Sequence, residues 1–143
     1  MILCDVNVLL YAMIASTTHH DRCRRELTAL RNAGVPIAVS ELIGAAVVRL
    51  ATNARIFRPA VSAADAFAFV DAWSSHPGAI RIGPGERHWS IFRDLVVTLG
   101  IRGSDTSDAY FAALAIEHGC EWWTTDGGFG RFTTLRSRNL LER

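Results

Sequence analysis

Six polar residues in this chain are of the kinds that handle divalent cations and water: Asp5, Asn7, Glu41, Asp105, Asp108 and Asp126. Asp5 and Asn7 interrupt an apolar run in "LCDVNVLLYA", Asp105 and Asp108 stand three apart in "SDTSD", and Asp126 lies in "TTDGGF". Each falls where a predicted strand ends or a predicted helix begins. In an alternating α/β chain those ends share one edge of the sheet, which is where sites are built. Five of the 14 acidic residues are therefore expected along one edge. Carboxylates that close repel one another unless a cation compensates, and an all-oxygen donor set suits a hard ion such as Mg²⁺ or Mn²⁺. The competing explanation is capping, because Asp, Asn and Ser favour helix amino ends. "SDTSD" could be two overlapping caps, whereas Asp5 and Asp126 leave strands and need not both begin helices.

The elements that must position these residues follow from periodicity. Short apolar runs predict strands at 1–4, 36–39, 79–82 and 121–124, with a weaker one near 135–141. Between them "HHDRCRRELTALRNAG" places Cys23, Leu27 and Leu30 on one face, while "SELIGAAVVRLATN" and "SAADAFAFVDAWSSH" each open on a Ser cap. "GERHWSIFRDLVVTLG" carries a stripe of Trp89, Phe92, Val96 and Leu99, and "SDAYFAALAIEHG" reads as a buried alanine-rich helix closed by Gly119. Strands alternating with helices imply an α/β fold with a parallel sheet and right-handed crossovers.

The 143 residues, 50% hydrophobic and 20% charged, predict one domain spanning 1–143. No apolar run approaches the length that crosses a bilayer, and the start lacks the features of a signal peptide, so a cytoplasmic protein with no membrane association is expected. Three cysteines without a C-x-x-C pair suggest neither a disulfide framework nor a cysteine metal site. All 15 basic residues are arginine, which excludes any mechanism needing a catalytic lysine. Because these arginines are dispersed rather than clustered, codon usage accounts for the bias better than selection for a nucleic-acid surface. The turn after the first strand is "DVNVLL", not the glycine-rich turn of a dinucleotide site. The five histidines do not form a site, and adjacent Trp122 and Trp123 fit a strand buried on both faces better than a base-stacking platform.

The ordered segments "DVNVLLYA", "VVRLATNARIF", "GPGERHWSIFRDL", "SDAYFAALAIEHG" and "TTDGGFGRF" resemble the PIN-domain ribonucleases, specifically the VapC toxins of bacterial toxin–antitoxin pairs, over essentially the whole chain. The resemblance implies a three-layer α/β/α PIN-like domain around a four- to five-stranded, mainly parallel sheet. It also implies an endoribonuclease dependent on Mg²⁺ or Mn²⁺, inhibition by a cognate VapB-type antitoxin, and a homodimer. Asp5, Asp108 and Asp126 match the family's metal-binding aspartates, and Asn7 matches the small polar residue that helps fix the site. Two positions depart: Ala46 stands where the family commonly has a helical glutamate, and Gly128 where it often has a further acidic residue. Glu41 is the candidate substitute, but five helical residues rotate it roughly 140° from position 46 and displace it about 7 Å, so it serves only if the metal or the chain end shifts toward it. Asp105 could make up the missing charge, and a single ion is expected rather than two.

The implied chemistry is metal-assisted hydrolysis of RNA phosphodiesters. Asp5, Asp108 and Asp126 would hold the ion, Asn7 would orient a carboxylate or a water, and Glu41 or Asp105 would deprotonate the attacking water. Arg102, beside the acidic loop, and Arg49, Arg55 and Arg87 are the candidate RNA phosphate ligands. A different reading stays open at this point: a PIN fold that has lost turnover through Ala46 and Gly128 and survives as an RNA- or antitoxin-binding module.

Overall fold

The computed structural model describes residues 1–143. Its elements run β1 (Ile2–Cys4), α1 (Val6–Met13), α2 (His20–Asn32), β2 (Ile37–Val39), α3 (Glu41–Ala51), α4 (Ala63–Ser74), β3 (Ala79–Arg81), α5 (His88–Leu99), α6 (Thr106–Glu117), β4 (Glu121–Thr124) and β5 (Ser137–Asn139). Short 3₁₀ turns at Gly103–Asp105 and Gly127–Arg131 precede α6 and follow β4. All five strands are parallel, in the order β3-β2-β1-β4-β5. The five strand segments read from the sequence are thus present, each shorter by a residue or more at its ends except β4.

Position in the sheet explains strand composition. β1 is central, with Ile2 opposite Ile37 of β2 and Leu3 and Cys4 opposite Trp122 and Trp123 of β4. Covered on both faces, β1 and β2 are continuously apolar, and both tryptophans of β4 are buried. The edge strands are not covered in this way: Ile80 and Arg81 of β3 and Ser137 and Arg138 of β5 are exposed. A single cluster of 32 buried residues joins the sheet to its helices.

Local rules fix most helix ends. Ser40 and Ser62 each accept a backbone hydrogen bond within their helix's first turn, from Leu42 and Asp65. α5 stops at Gly100, whose φ of 62° closes the helix in the left-handed region. Its amino end has no cap of its own; Glu117 of α6 accepts instead from the amides of Gly85 (2.9 Å) and Arg87 (3.1 Å).

The stripe on α5 differs from expectation. The helix lies against α6 through His88, Phe92, Leu95 and Val96, while Trp89 and Val97 are 62% and 74% exposed and Leu99 is also exposed. The reason is that α5 leans on a neighbouring helix rather than on the sheet, so a narrower face is covered than the apolar residues span. His88 is buried, with Nε2 2.9 Å from the carbonyl of Tyr110. A carbonyl only accepts, so that nitrogen carries the proton.

Trp122 is fully buried between the rings of Phe111 and Phe129, at 6.3 and 5.2 Å. Trp122→Ala should cost about 3–5 kcal/mol of unfolding free energy. Trp89→Ser should cost less than about 1 kcal/mol, as expected of an exposed position. Urea denaturation of the two variants checks this contrast.

Candidate active site

The path of the chain creates a crevice. From β1 the connections run outward to β2 and β3, then return across the sheet to β4 on the other side of β1. With right-handed crossovers that reversal puts α5 and α6 on the opposite face from α1 to α4, and the carboxyl ends of β1 and β4 become the switch point at which such sheets hold ligands. Asp5 directly follows β1, Asp126 follows β4 after one residue, and Asp108 lies in the first turn of α6, which feeds β4. Asp105 is at the amino end of that helix.

The expectation that Asp5 and Asp126 need not both begin helices is corrected: Asp5 is the N-cap residue of α1 and Asp126 that of the Gly127–Arg131 turn. Capping still does not account for the cluster. Only Asp126 closes a cap hydrogen bond, accepting from Gly128 N at 2.7 Å; Asp5 and Asp105 close none. The "SDTSD" segment is therefore not a pair of overlapping aspartate caps.

Each central carboxylate instead has its own partner within the chain. Thr124 Oγ1 donates to Asp5 Oδ2 at 2.6 Å and accepts from the amide of Asp126 at 3.0 Å, tying the ends of β1 and β4 together. Arg131 donates from Nη2 to Asp108 Oδ2 at 3.0 Å and lies with Nη1 3.7 Å from Asp105 Oδ2. Turned toward these partners, no three acidic, histidine or cysteine side chains converge closely enough to hold an ion as they stand.

The electrostatics show what the arrangement lacks. Burial pushes the Asp5 carboxyl up to about 6; the Thr124 hydrogen bond opposes the shift, the charge of Asp108 adds to it, and the amides of Val6 and Asn7 pull it back slightly. Asp108 is also raised, first by burial, against the pull of Arg131 and with the charges of Asp126 and Asp105 adding to the rise. Asp5, Asp108 and Asp126 thus form a chain of mutually repelling carboxylates with hard oxygen donors. That donor set, hard carboxylate oxygens under-compensated by one guanidinium, suits the chemistry of Mg²⁺ or Mn²⁺.

The remaining sequence candidates are dispersed. Asn7, in the first turn of α1 beside Asp5, makes no side-chain hydrogen bond within the chain and keeps its amide free. Glu41 is not brought to the aspartates: its side chain is 91% exposed and pairs with Arg81 on the β3 side of the sheet, at 3.2 Å. Among the arginines, Arg87 is committed to the carbonyl of Glu117 at 3.0 Å, whereas the side chains of Arg49, Arg55 and Arg102 are exposed and make no hydrogen bond or ion pair within the chain. Ala46 is half-buried against the core. At Gly128 a Cβ would meet Asp126 Oδ1 at 3.0 Å, so a side chain there asks that carboxylate to give way slightly. Sequence reasoning missed Thr124 and Arg131. The first could have been found from "TTD", a hydroxyl two residues before a site aspartate; the second carries no sequence signal apart from its nearness to Asp126.

Comparison with known proteins gives consistent results. Residues 2–135 match the family model of the PIN domain. Ribonuclease VapC43 of Mycobacterium tuberculosis is 40% identical over 142 residues, covering 99% of this chain and 97% of the relative. Ribonuclease VapC25 of the same organism is 38% identical over 136 residues, covering 95% and 96%. Among solved structures, VapBC2 from Rickettsia felis bound to a DNA fragment from their promoter superimposes with a TM-score of 0.71 over 97% of this chain and 98% of the other; at 19% identity, that likeness is one of fold.

The Asp5 shift implies a pH dependence with a definite sign. The folded carboxyl holds its proton up to about pH 6, the unfolded one only to about 4. Between these values the folded state binds more protons, so this contribution to stability is complete below pH 4 and is lost as pH rises through 6. Asp5→Asn removes the penalty. The metal-free variant should be more stable than the parent at pH 7.5, by on the order of 1–3 kcal/mol. That advantage should shrink toward zero at pH 4, as read from paired urea midpoints.

Proposed function

The chain belongs to the PIN-domain family and is a VapC-type endoribonuclease, the toxin of a toxin–antitoxin pair; from that premise we propose that it hydrolyses RNA with one divalent ion held by Asp5, Asp108 and Asp126. The observation that carries this reading is the placement of Asp5, Asp108 and Asp126 at the carboxyl edge of β1 and β4, with Thr124 joining the Asp5 carboxylate to the amide of Asp126. When bound, Mg²⁺ or Mn²⁺ supplies Lewis-acid polarisation of the phosphodiester and a more acidic water.

The chain's own residues do the rest. Thr124 fixes the rotamer of Asp5 and keeps one of its oxygens engaged, leaving the other for the ion. Asn7, with its amide free, orients a water or a carboxylate. Asp105, at the mouth of the site and 61% exposed, supplies further negative charge and is better placed than Glu41 to accept a proton from water. Arg102, Arg49 and Arg55, unpaired and exposed, are phosphate ligands for the RNA backbone, while Arg87 serves the loop it ties to α6. The protein acts in the cytoplasm, as a homodimer held in check by a VapB-type antitoxin; VapC-type relatives and the VapBC2 structure support that pairing.

Cleavage of total cellular RNA tests the reading. Antitoxin-free protein should yield discrete fragments with Mn²⁺ and none with EDTA. Asp5→Ala should reduce cleavage by at least roughly a hundredfold. Fragments that persist in EDTA, or at the parent rate with Asp5→Ala, would overturn it. Thr124→Val keeps shape but removes the hydroxyl, and should weaken Mn²⁺ binding and cleavage together by about 10- to 100-fold; isothermal titration alongside the RNA assay measures both.

A further inference from the structure

Arg131 is the one cation set among the site's carboxylates, and nothing in the reading above gives it a role. It ends the turn that Asp126 caps, and its guanidinium lies 5.0 Å from the ring of Phe132. Its grip on the acidic cluster is poor for an arginine. A strong pair would engage one carboxylate through two parallel N–H bonds. Here Nη2 reaches Asp108 at 3.0 Å, Nη1 approaches Asp105 only to 3.7 Å, and the buried Nε finds no acceptor at all. With Asp108 a third exposed and Asp105 61% exposed, solvent weakens both contacts further.

We propose that Arg131 is the site's tethered counter-cation, which competes with the divalent ion for Asp108 and so sets how tightly that ion binds. The proposal rests on the metal-site reading above. In the metal-free protein the guanidinium supplies the positive charge that the crowded aspartates require; an ion drawn to Asp108 meets that charge, and turning Oδ2 onto the ion breaks the 3.0 Å contact. The imperfect, part-exposed geometry makes that break inexpensive, since a single charge-assisted contact weakened by solvent is exchanged for a ligand bond. Arg131 is thus a positioning residue that acts through Asp108. It weakens ion binding in exchange for holding the empty site together, the opposite of what a residue that merely braces the ligand would do.

The test is Mn²⁺ titration of metal-stripped protein by calorimetry and thermal shift. Arg131→Gln should bind Mn²⁺ about three- to fivefold more tightly than the parent. It should also melt lower without metal and gain more from Mn²⁺. Arg131→Lys, which restores the charge without the fork, should return the affinity toward that of the parent. Unchanged or weaker binding by Arg131→Gln, with parent affinity intact, would overturn the counter-cation role and leave the metal site standing. Absence of Mn²⁺ uptake by parent and variants alike would overturn both. A measurement on the unmodified chain covers the case in which Arg131→Gln does not fold. The Nε–H resonance of Arg131, identified by its absence from Arg131→Lys, should shift with added Mg²⁺ at the midpoint of ion binding. A resonance that stays in place while the ion binds overturns the proposal.

Discussion

Negative charge gathered at one sheet edge is the constraint to which the rest of this molecule answers. Asp5 is 5% exposed at the end of the central strand, and its carboxyl is kept up near 6 by the loss of water around it. Such a group is tolerated only when its oxygens have partners. Thr124 supplies one, and because Thr124 also receives the amide of Asp126, the same hydroxyl that satisfies Asp5 registers β4 and its following turn against β1. The site is thereby part of the sheet's own bonding rather than an attachment to it.

The frame around the cluster was legible because each element answers to a local rule. Apolar runs between turn signals located the five strands, and Ser40 and Ser62 marked the starts of α3 and α4 through the hydroxyl bonds they make. The parallel sheet and the gathering of Asp5, Asp108 and Asp126 followed from alternation and handedness. The stripe on α5 is only partly covered because periodicity reports which residues share a face, not how wide a neighbour covers it; Trp89 and Leu99 fall outside the strip that α6 reaches. Thr124 and Arg131 were invisible for a different reason. A hydroxyl and a guanidinium are common surface groups, and their significance comes only from what the fold sets opposite them.

The departures from the wider family also acquire physical content. At Gly128 a Cβ would stand 3.0 Å from the Asp126 carboxylate, so an acid there would sit directly beside the one the turn holds. Glu41 does not replace the acid absent at Ala46, because it faces Arg81 on the far side of β2. What remains is a smaller acidic set with one arginine among it, a balance nearer neutrality than a fully acidic cluster would have.

The absence of lysine has a consequence for how that balance can change. A guanidinium keeps its charge at every pH a folded protein meets, and no acetylation discharges it. Histidine takes no part in the cluster either. Only above the range in which the Asp5 carboxyl, raised to about 6, gives up its proton does the guanidinium of Arg131 face a charge on Asp5 that no longer changes. Once Asp5 is ionised, the site answers to which cations and phosphates surround it rather than to how many protons do.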